Sequence, residues 1–546
     1  MFVPQHNRRA FLRAGAVPAA TVAAVTTGGA ASAGVPALAG ANVNRPHRDV
    51  EEMTIAEMRA AMEAGTLTSQ RLVNKYLIRI RRLDRSLDLR SIIEVNPRAR
   101  TLAKRLDLER RNGEVRGPLH GIPILLKDNI DTELDMSTTA GSLALADSRS
   151  AADATVAAKL QEAGAVIIGK ANLSEWANFR STQSSSGWSA VGGACRNPYV
   201  LDRNPCGSSS GSGAAVSANL VAAALGTETD GSIVCPASAN GLVGIKPTVG
   251  LTSRAGVVPI SRTQDTIGPM ARTVADAAAV LGALTGVDPR DPATADSEGN
   301  SHEDYSQFVD PDGLSGARIG VARQLFINSP ETSAIMEGVI ARLAGHGVDV
   351  VDPVEFPSFD EFSSSSAELD VLLLEFKTDV ALYLAGRVGG PKTLADLIDF
   401  NNANADAEMR WFGQELFEIA QGRGGIDDPD YAPALAASRR ISQTEGLDAV
   451  LDNNNLDAII APTNSPAWPT DLLNGDHFLG GTSSYAAMAG YPLVTVPMGS
   501  SFGLPVGITF MGRRWSEPTL IKLASGFESK LGAREAPQFL QTLDRD

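Results

Sequence analysis

Seven short apolar runs recur along the chain at strand length: GIPILLKD (121–128), GAVIIGK (164–170), ARIGVA (317–322), DVVDPVEF (349–356), LDAIIAPT (456–463), PLVTVPMG (492–499) and LPVGITFMG (504–512). Segments with helical spacing lie between them, among them ATVAAKLQEAG (154–164) and TVADAAAVLGALTG (273–286). Runs this apolar suit strands buried on both faces, so the alternation predicts an α/β fold: a large central β-sheet covered by helices on both faces. Residues 54–84 repeat apolar side chains at helical spacing around a turn at Gly65, which predicts two helices there. The Asp-, Pro- and Ser-rich segment 286–313 reads as a surface loop, and 358–450 as a mainly helical excursion able to shape a binding site.

With 546 residues, 43% hydrophobic and 20% charged, the chain has enough apolar material for an enzyme-sized body. Its net charge of −15 disfavours nucleic acid and anionic membranes as partners. The basic stretches 79–85 and 104–116 interleave Arg with Asp, Glu and Leu, the pattern of solvated helix faces. At the start, Arg8 and Arg9 precede Phe11, Leu12 and a weakly apolar stretch, a pattern that resembles a twin-arginine export signal over residues 1–40. Small-residue cleavage patterns at 31–33 and 37–39 predict removal near 33 or 39, and a secreted or cell-envelope, periplasmic location. Gly15, Pro18, Gly28 and Gly29 make the segment a poor spanning helix, so no stable membrane insertion is expected. Residues 41–546 are then one folded unit. Its three cysteines, Cys195, Cys206 and Cys235, fit neither a disulfide scaffold nor a zinc site and are expected as buried free thiols.

The run CGSSSGSG (206–213) leads into AAVSANLVAAAL (214–225), apolar almost all round and read as a fully buried helix. A flexible linker would not enter such a helix, so the loop is tied to the core. It lacks the Lys of a phosphate loop and the third Gly of a dinucleotide fingerprint, which argues against nucleotides. Two catalytic readings remain open. In one, residues 207–211 form a G-x-S-x-G elbow with Ser209 as nucleophile and His302, His346 or His477 as base. In the other, Lys127 is a base: it ends an apolar strand where desolvation favours the neutral amine, while Asp128 would point to the opposite face. His120 reads as structural.

GSSSGSGAAV followed by GTETDGSIVCPASANGLVGIKPTVG (226–250), with GPLHGIPILLKDNI (117–130) upstream, resembles the amidase signature family of serine hydrolases. NLSEWANFR (172–180), WFGQEL (411–416) and AGYPLVTVPMG (489–499) are similar to the branch of that family that removes the C-terminal carboxamide of peptides. The resemblance implies the amidase signature fold with its mixed sheet, and hydrolysis of carboxamides to acid and ammonia with no metal or organic cofactor. It implies Lys127 as base, Ser208 as bridging serine and Ser232 as nucleophile, 24 residues apart as in the family. The N–H groups of Thr229, Asp230, Gly231 and Ser232 would form the oxyanion hole. Asp230 departs from the Gly of many relatives, and Glu228 from their Asp. The implied partner is a small amide or an amidated peptide, with Trp176 and Phe179 as pocket candidates; Gln414 and Glu415 read as a solvated helix face. Alternatives are a broad fatty or aryl amide amidase, a glutaminase-like component of an amidotransferase, and a catalytically silent binding module.

Overall fold

In the computed structural model, which describes residues 45–544, eleven strands form one sheet. Its order is Ile92–Val95, Val166–Ala171, Pro123–Lys127, Ala223–Glu228, Thr266–Ala271, Val243–Lys246, Leu493–Ser501, Leu504–Met511, Ala458–Pro462, Arg318–Val321 and Asp349–Val351. Pro123–Lys127 runs parallel to both its neighbours and Arg318–Val321 to both of its own, while the remaining pairs are antiparallel, so the sheet is mixed. Successive side chains of a strand leave on opposite faces. In Ala458–Pro462, Ala458 and Ile460 enter one hydrophobic core and Ile459 and Ala461 another, so both faces are covered. The larger core takes Leu72, Val73 and Tyr76 from the helix Ser69–Arg79; the smaller takes Ala486 and Met488 from Ser484–Ala489.

Each of the seven expected runs contains a strand, although 349–356 keeps only its first three residues. Four strands, at 92–95, 223–228, 243–246 and 266–271, carry too weak a pattern to stand out in the sequence. The helix expected over 214–225 is corrected: it is Ser210–Ser217, and Ala223–Glu228 is a strand. An alanine-rich segment buried on every side has no period to separate helix from strand. The helix begins inside the Gly/Ser run because backbone meets backbone there. The Gly211 N–H donates to the Asn172 carbonyl at 2.9 Å, and a Cβ on Gly211 would stand 2.2 Å from the Ser91 carbonyl oxygen.

Two helices occupy the 54–84 region as expected. Ile55–Glu63 is opened by a reciprocal capping box between Thr54 and Glu57, Ser69–Arg79 is capped by Thr68, and Gly65 turns the chain between them at φ 73°. Residues 286–313 hold two short 3₁₀ turns, and 358–450 is mainly helical. A third core of Trp176, Phe179, Phe376, Leu416 and Phe417 fastens that excursion to the loop at 176–179. Among the described residues no helix is long and apolar enough to cross a membrane. The expected export signal and its cleavage points lie outside the described residues.

Candidate active site

Lys127 is the last residue of the strand Pro123–Lys127. The register sets Leu126 opposite Leu225, which carries Lys127 to the end of the neighbouring strand Ala223–Glu228. Its fully buried ammonium nitrogen donates to Ser208 Oγ at 2.7 Å, Thr227 Oγ1 at 2.8 Å and the Thr227 carbonyl at 3.3 Å. Asp128 leaves on the other side of the strand, where it accepts from Thr139 and lies 3.9 Å from Lys170. Burial pushes the Lys127 pKa down to about 7, against the opposing pull of the Asp265 and Glu228 charges. A neutral amine is therefore accessible at neutral pH.

Ser208 is fully buried in front of Lys127. Its neighbour Ser209 turns away: its hydroxyl donates to the Thr227 carbonyl and accepts the Thr227 N–H, both at 3.2 Å. The histidines that a Ser209 elbow would need are not beside it. His302 packs edge-on against Tyr305 and Phe308, His346 ends a short helical turn, and His477 is exposed; none of them lines the cavity described below. His120 holds the Leu106 carbonyl at 3.0 Å, a structural contact.

The turn 229–232 joins the strand Ala223–Glu228 to the helix Val234–Ala239. Among the described residues its four backbone N–H groups have no protein acceptor, whereas the next two, of Ile233 and Val234, donate to the Glu228 carboxylate at 2.7 and 3.0 Å. Glu228 thus anchors the far side of the turn. Gly231 adopts φ 79°, and a Cβ there would meet Ser483 Oγ at 2.9 Å. The Asp230 carboxylate accepts from the hydroxyls of Ser483 and Ser484, so it holds the turn to a second segment. Thr229 donates to Asp265 at 2.6 Å, and burial pushes Asp265 up to about 6. The Ser209 N–H donates to the Ser232 carbonyl at 3.2 Å, tying the two serine loops together.

A cavity of about 250 Å³ opens onto Gly207 and residues 229–232, with Phe179, Trp468, Asp476 and Phe478 among its walls. Trp176 is corrected: it does not line the cavity but packs edge-on against Phe417, because residues 176–178 all have positive φ and turn Phe179 towards the cavity instead. Gln414 and Glu415 are not a solvated face. Gln414 is buried against Asn401, and Glu415 accepts from the hydroxyls of Ser181 and Thr182, both at 2.8 Å. Cys206 and Cys235 are not free thiols but a disulfide beside the cavity; Cys195 alone stays a buried thiol, its pKa raised well above the ordinary value by burial. Thr227, which accepts from both Lys127 and Asn129, lies inside a quoted motif that gives no sign of this contact, and the Ser483–Ser484 pair lies outside every motif; neither set of contacts was legible in the sequence.

Residues 71–521 match the Amidase family. The chain belongs to the amidase family. This amidase is 43% identical over 499 residues to a probable amidase of Arabidopsis thaliana, covering 90% of this chain and 92% of the relative. It is 33% identical over 497 residues to a glutamyl-tRNA(Gln) amidotransferase component of Halorhodospira halophila, covering 88% and 97%. The crystal structure of peptide amidase from Stenotrophomonas maltophilia superimposes with a TM-score of 0.85 at 50% identity, covering 90% of this chain and 99% of that one. The amidase is an amide-hydrolysing enzyme with the amidase signature fold.

Proposed function

We propose that this amidase hydrolyses the C-terminal carboxamide of peptides to the free acid and ammonia, with Ser232 as nucleophile, Ser208 as proton relay and Lys127 as base. The observation that carries the reading is the buried 2.7 Å contact between Lys127 and Ser208, two residues from the cavity-lining Cys206. A neutral amine has two N–H donors and one lone pair. Thr227 supplies acceptors for both donors, which leaves the lone pair to Ser208. Ser208 passes its proton to Lys127 as it takes the proton of Ser232, and the Ser232 oxygen attacks the carboxamide carbon.

The unpaired N–H groups of residues 229–232 receive the oxyanion; a well-placed donor contributes about 3–4 kcal/mol to the transition state. Collapse of the tetrahedral intermediate returns the proton along the relay to the leaving nitrogen, releasing ammonia and leaving an ester on Ser232. Water repeats the sequence and releases the acid. Among the described residues the cavity walls hold no Lys, Arg or His to pair with a free carboxylate, which suits a neutral carboxamide. The likeness to peptide amidase favours a peptide substrate over a fatty or aryl amide. The same reading takes residues 1–40 as a signal that exports the enzyme from the cytoplasm.

Ammonia release from an amidated peptide, a fatty amide and an aryl amide at equal concentration tests the substrate class, with the acid product identified by mass. The amidated peptide is expected to have the highest kcat/KM. A higher value for either of the other amides would overturn the peptide assignment while leaving amide hydrolysis in place.

A further inference from the structure

The Cys206–Cys235 disulfide joins the two loops on which the proposed chemistry rests. Cys206 stands two residues before Ser208 and Cys235 three after Ser232, and both cysteines line the cavity. Each half is locked into its own loop. The Cys206 N–H donates to Asn204 at 2.8 Å, its carbonyl accepts from the Ser210 hydroxyl at 2.7 Å, and its φ of 60° is one that a non-glycine residue keeps only when its surroundings impose it. The Cys235 N–H donates to the Gly231 carbonyl at 2.8 Å. That carbonyl and the Ser232 N–H belong to one planar trans peptide and point in opposite directions. Holding the Gly231 oxygen towards Cys235 therefore aims the Ser232 N–H, an expected oxyanion donor, the other way. Besides the disulfide, among the described residues a single hydrogen bond joins segments 206–210 and 229–235 directly, the 3.2 Å contact from the Ser209 N–H to the Ser232 carbonyl.

We infer that this disulfide is a positioning element for the reaction, which sets the relay serine against the nucleophile and the oxyanion donors, so that the enzyme is fast when the bridge is closed and slow when it is reduced. The inference rests on the roles proposed above for Ser208 and Ser232. Reduction by a dithiol breaks the Cys206–Cys235 bond: the dithiol gives two electrons and two protons, the cysteines become two thiols, and the dithiol closes to its own cyclic disulfide. The helix Val234–Ala239 is buried throughout, so the fold persists while the spacing of the two loops relaxes.

The test uses the full chain carrying Cys195→Ala, which removes the third thiol, in oxidised, dithiothreitol-reduced and reoxidised forms. Steady-state ammonia release from an amidated peptide is followed together with thiol titration and far-UV circular dichroism. A misplacement of about 1 Å costs up to ~100-fold in rate, so kcat is expected to fall roughly 10- to 100-fold on reduction and to return on reoxidation. KM is expected to stay within about twofold, since the lost interactions are those of the transition state. Cys206→Ser with Cys235→Ser is expected to reproduce the slow kcat and to ignore the reductant.

A reduced enzyme with two titrated thiols, an unchanged spectrum and an unchanged kcat would overturn the inference. So would a kcat that falls only together with the spectrum, which makes the bridge a brace of the fold. An oxidised enzyme inactive on every amide, or still active after Ser232→Ala, overturns the proposed function and this inference with it. An active, Ser232-dependent enzyme indifferent to reduction overturns this inference alone.

Discussion

Replacing Lys127 by Met reads the electrostatics of the site through stability. Burial lowers the folded-state pKa of Lys127 from 10.5 to about 7. In the unfolded chain the ordinary value returns. Between about pH 7 and 10.5 the unfolded state therefore binds more protons than the folded one, and stability rises with pH across that window. At about 1.4 kcal/mol per tenfold change in proton affinity, the buried amine costs the fold about 5 kcal/mol well below pH 7, about 4 at pH 7.5 and about 1 at pH 10. The methionine variant does not titrate there. Its stability relative to wild type is expected to drop by about 3 kcal/mol between pH 7.5 and pH 10.

Losing the contacts to Ser208 and Thr227 subtracts about 1–3 kcal/mol from the variant at both pH values, so the change with pH carries the test rather than the sign at either one. Other titrating groups are shared and cancel in the comparison. Urea unfolding of both proteins at pH 7.5 and 10, with equal m-values as the control, measures the difference. Two proteins whose stabilities move in parallel between those pH values would refute the argument that Lys127 is held neutral by burial.

With Lys127 in its proposed role as base, the rate follows the same titration. Below pH 7, kcat/KM is expected to fall about tenfold per pH unit as the free enzyme's base is protonated, and to level off above it. Asp265→Asn removes a charge that raises the Lys127 pKa, so its limb is expected at lower pH; a profile flat from about pH 5 to 8, or a limb moved upward, contradicts this. Gly231→Ala forces a left-handed backbone on alanine and a Cβ against Ser483. It is expected to cost about 1–3 kcal/mol in thermal unfolding and about 100-fold in kcat, and a normal kcat would count against the turn as the oxyanion site.

The sequence exposes what depends on local pattern and hides what the fold assembles. Lys127 was readable because a lysine that ends an apolar strand is uncommon, and the period of a strand correctly sent Asp128 elsewhere. The Gly/Ser loop was readable as part of the core because a buried segment follows it, yet the boundary between helix and strand within 210–228 was not, since small apolar residues suit both. Cysteine spacing could not reveal the Cys206–Cys235 pair, whose 29-residue separation closes only when the two serine loops meet. Trp176 and Phe179 look equivalent in sequence; the positive-φ segment that faces one to the core and the other to the cavity leaves no compositional mark. Glu415 looks like an exposed helix residue, and becomes a half-buried acceptor only because Ser181 and Thr182 arrive from a loop more than two hundred residues away.

The most direct test of the central claim is ammonia release from an amidated peptide by wild type, Ser232→Ala, Lys127→Ala, Ser209→Ala and His477→Ala, each checked for fold by circular dichroism. Removing a nucleophile or its base is expected to cost about 10,000-fold or more, so Ser232→Ala and Lys127→Ala should be inactive. Ser209→Ala and His477→Ala should keep most of the wild-type rate. Activity lost with Ser209 and His477 but kept with Ser232 and Lys127 would contradict the account.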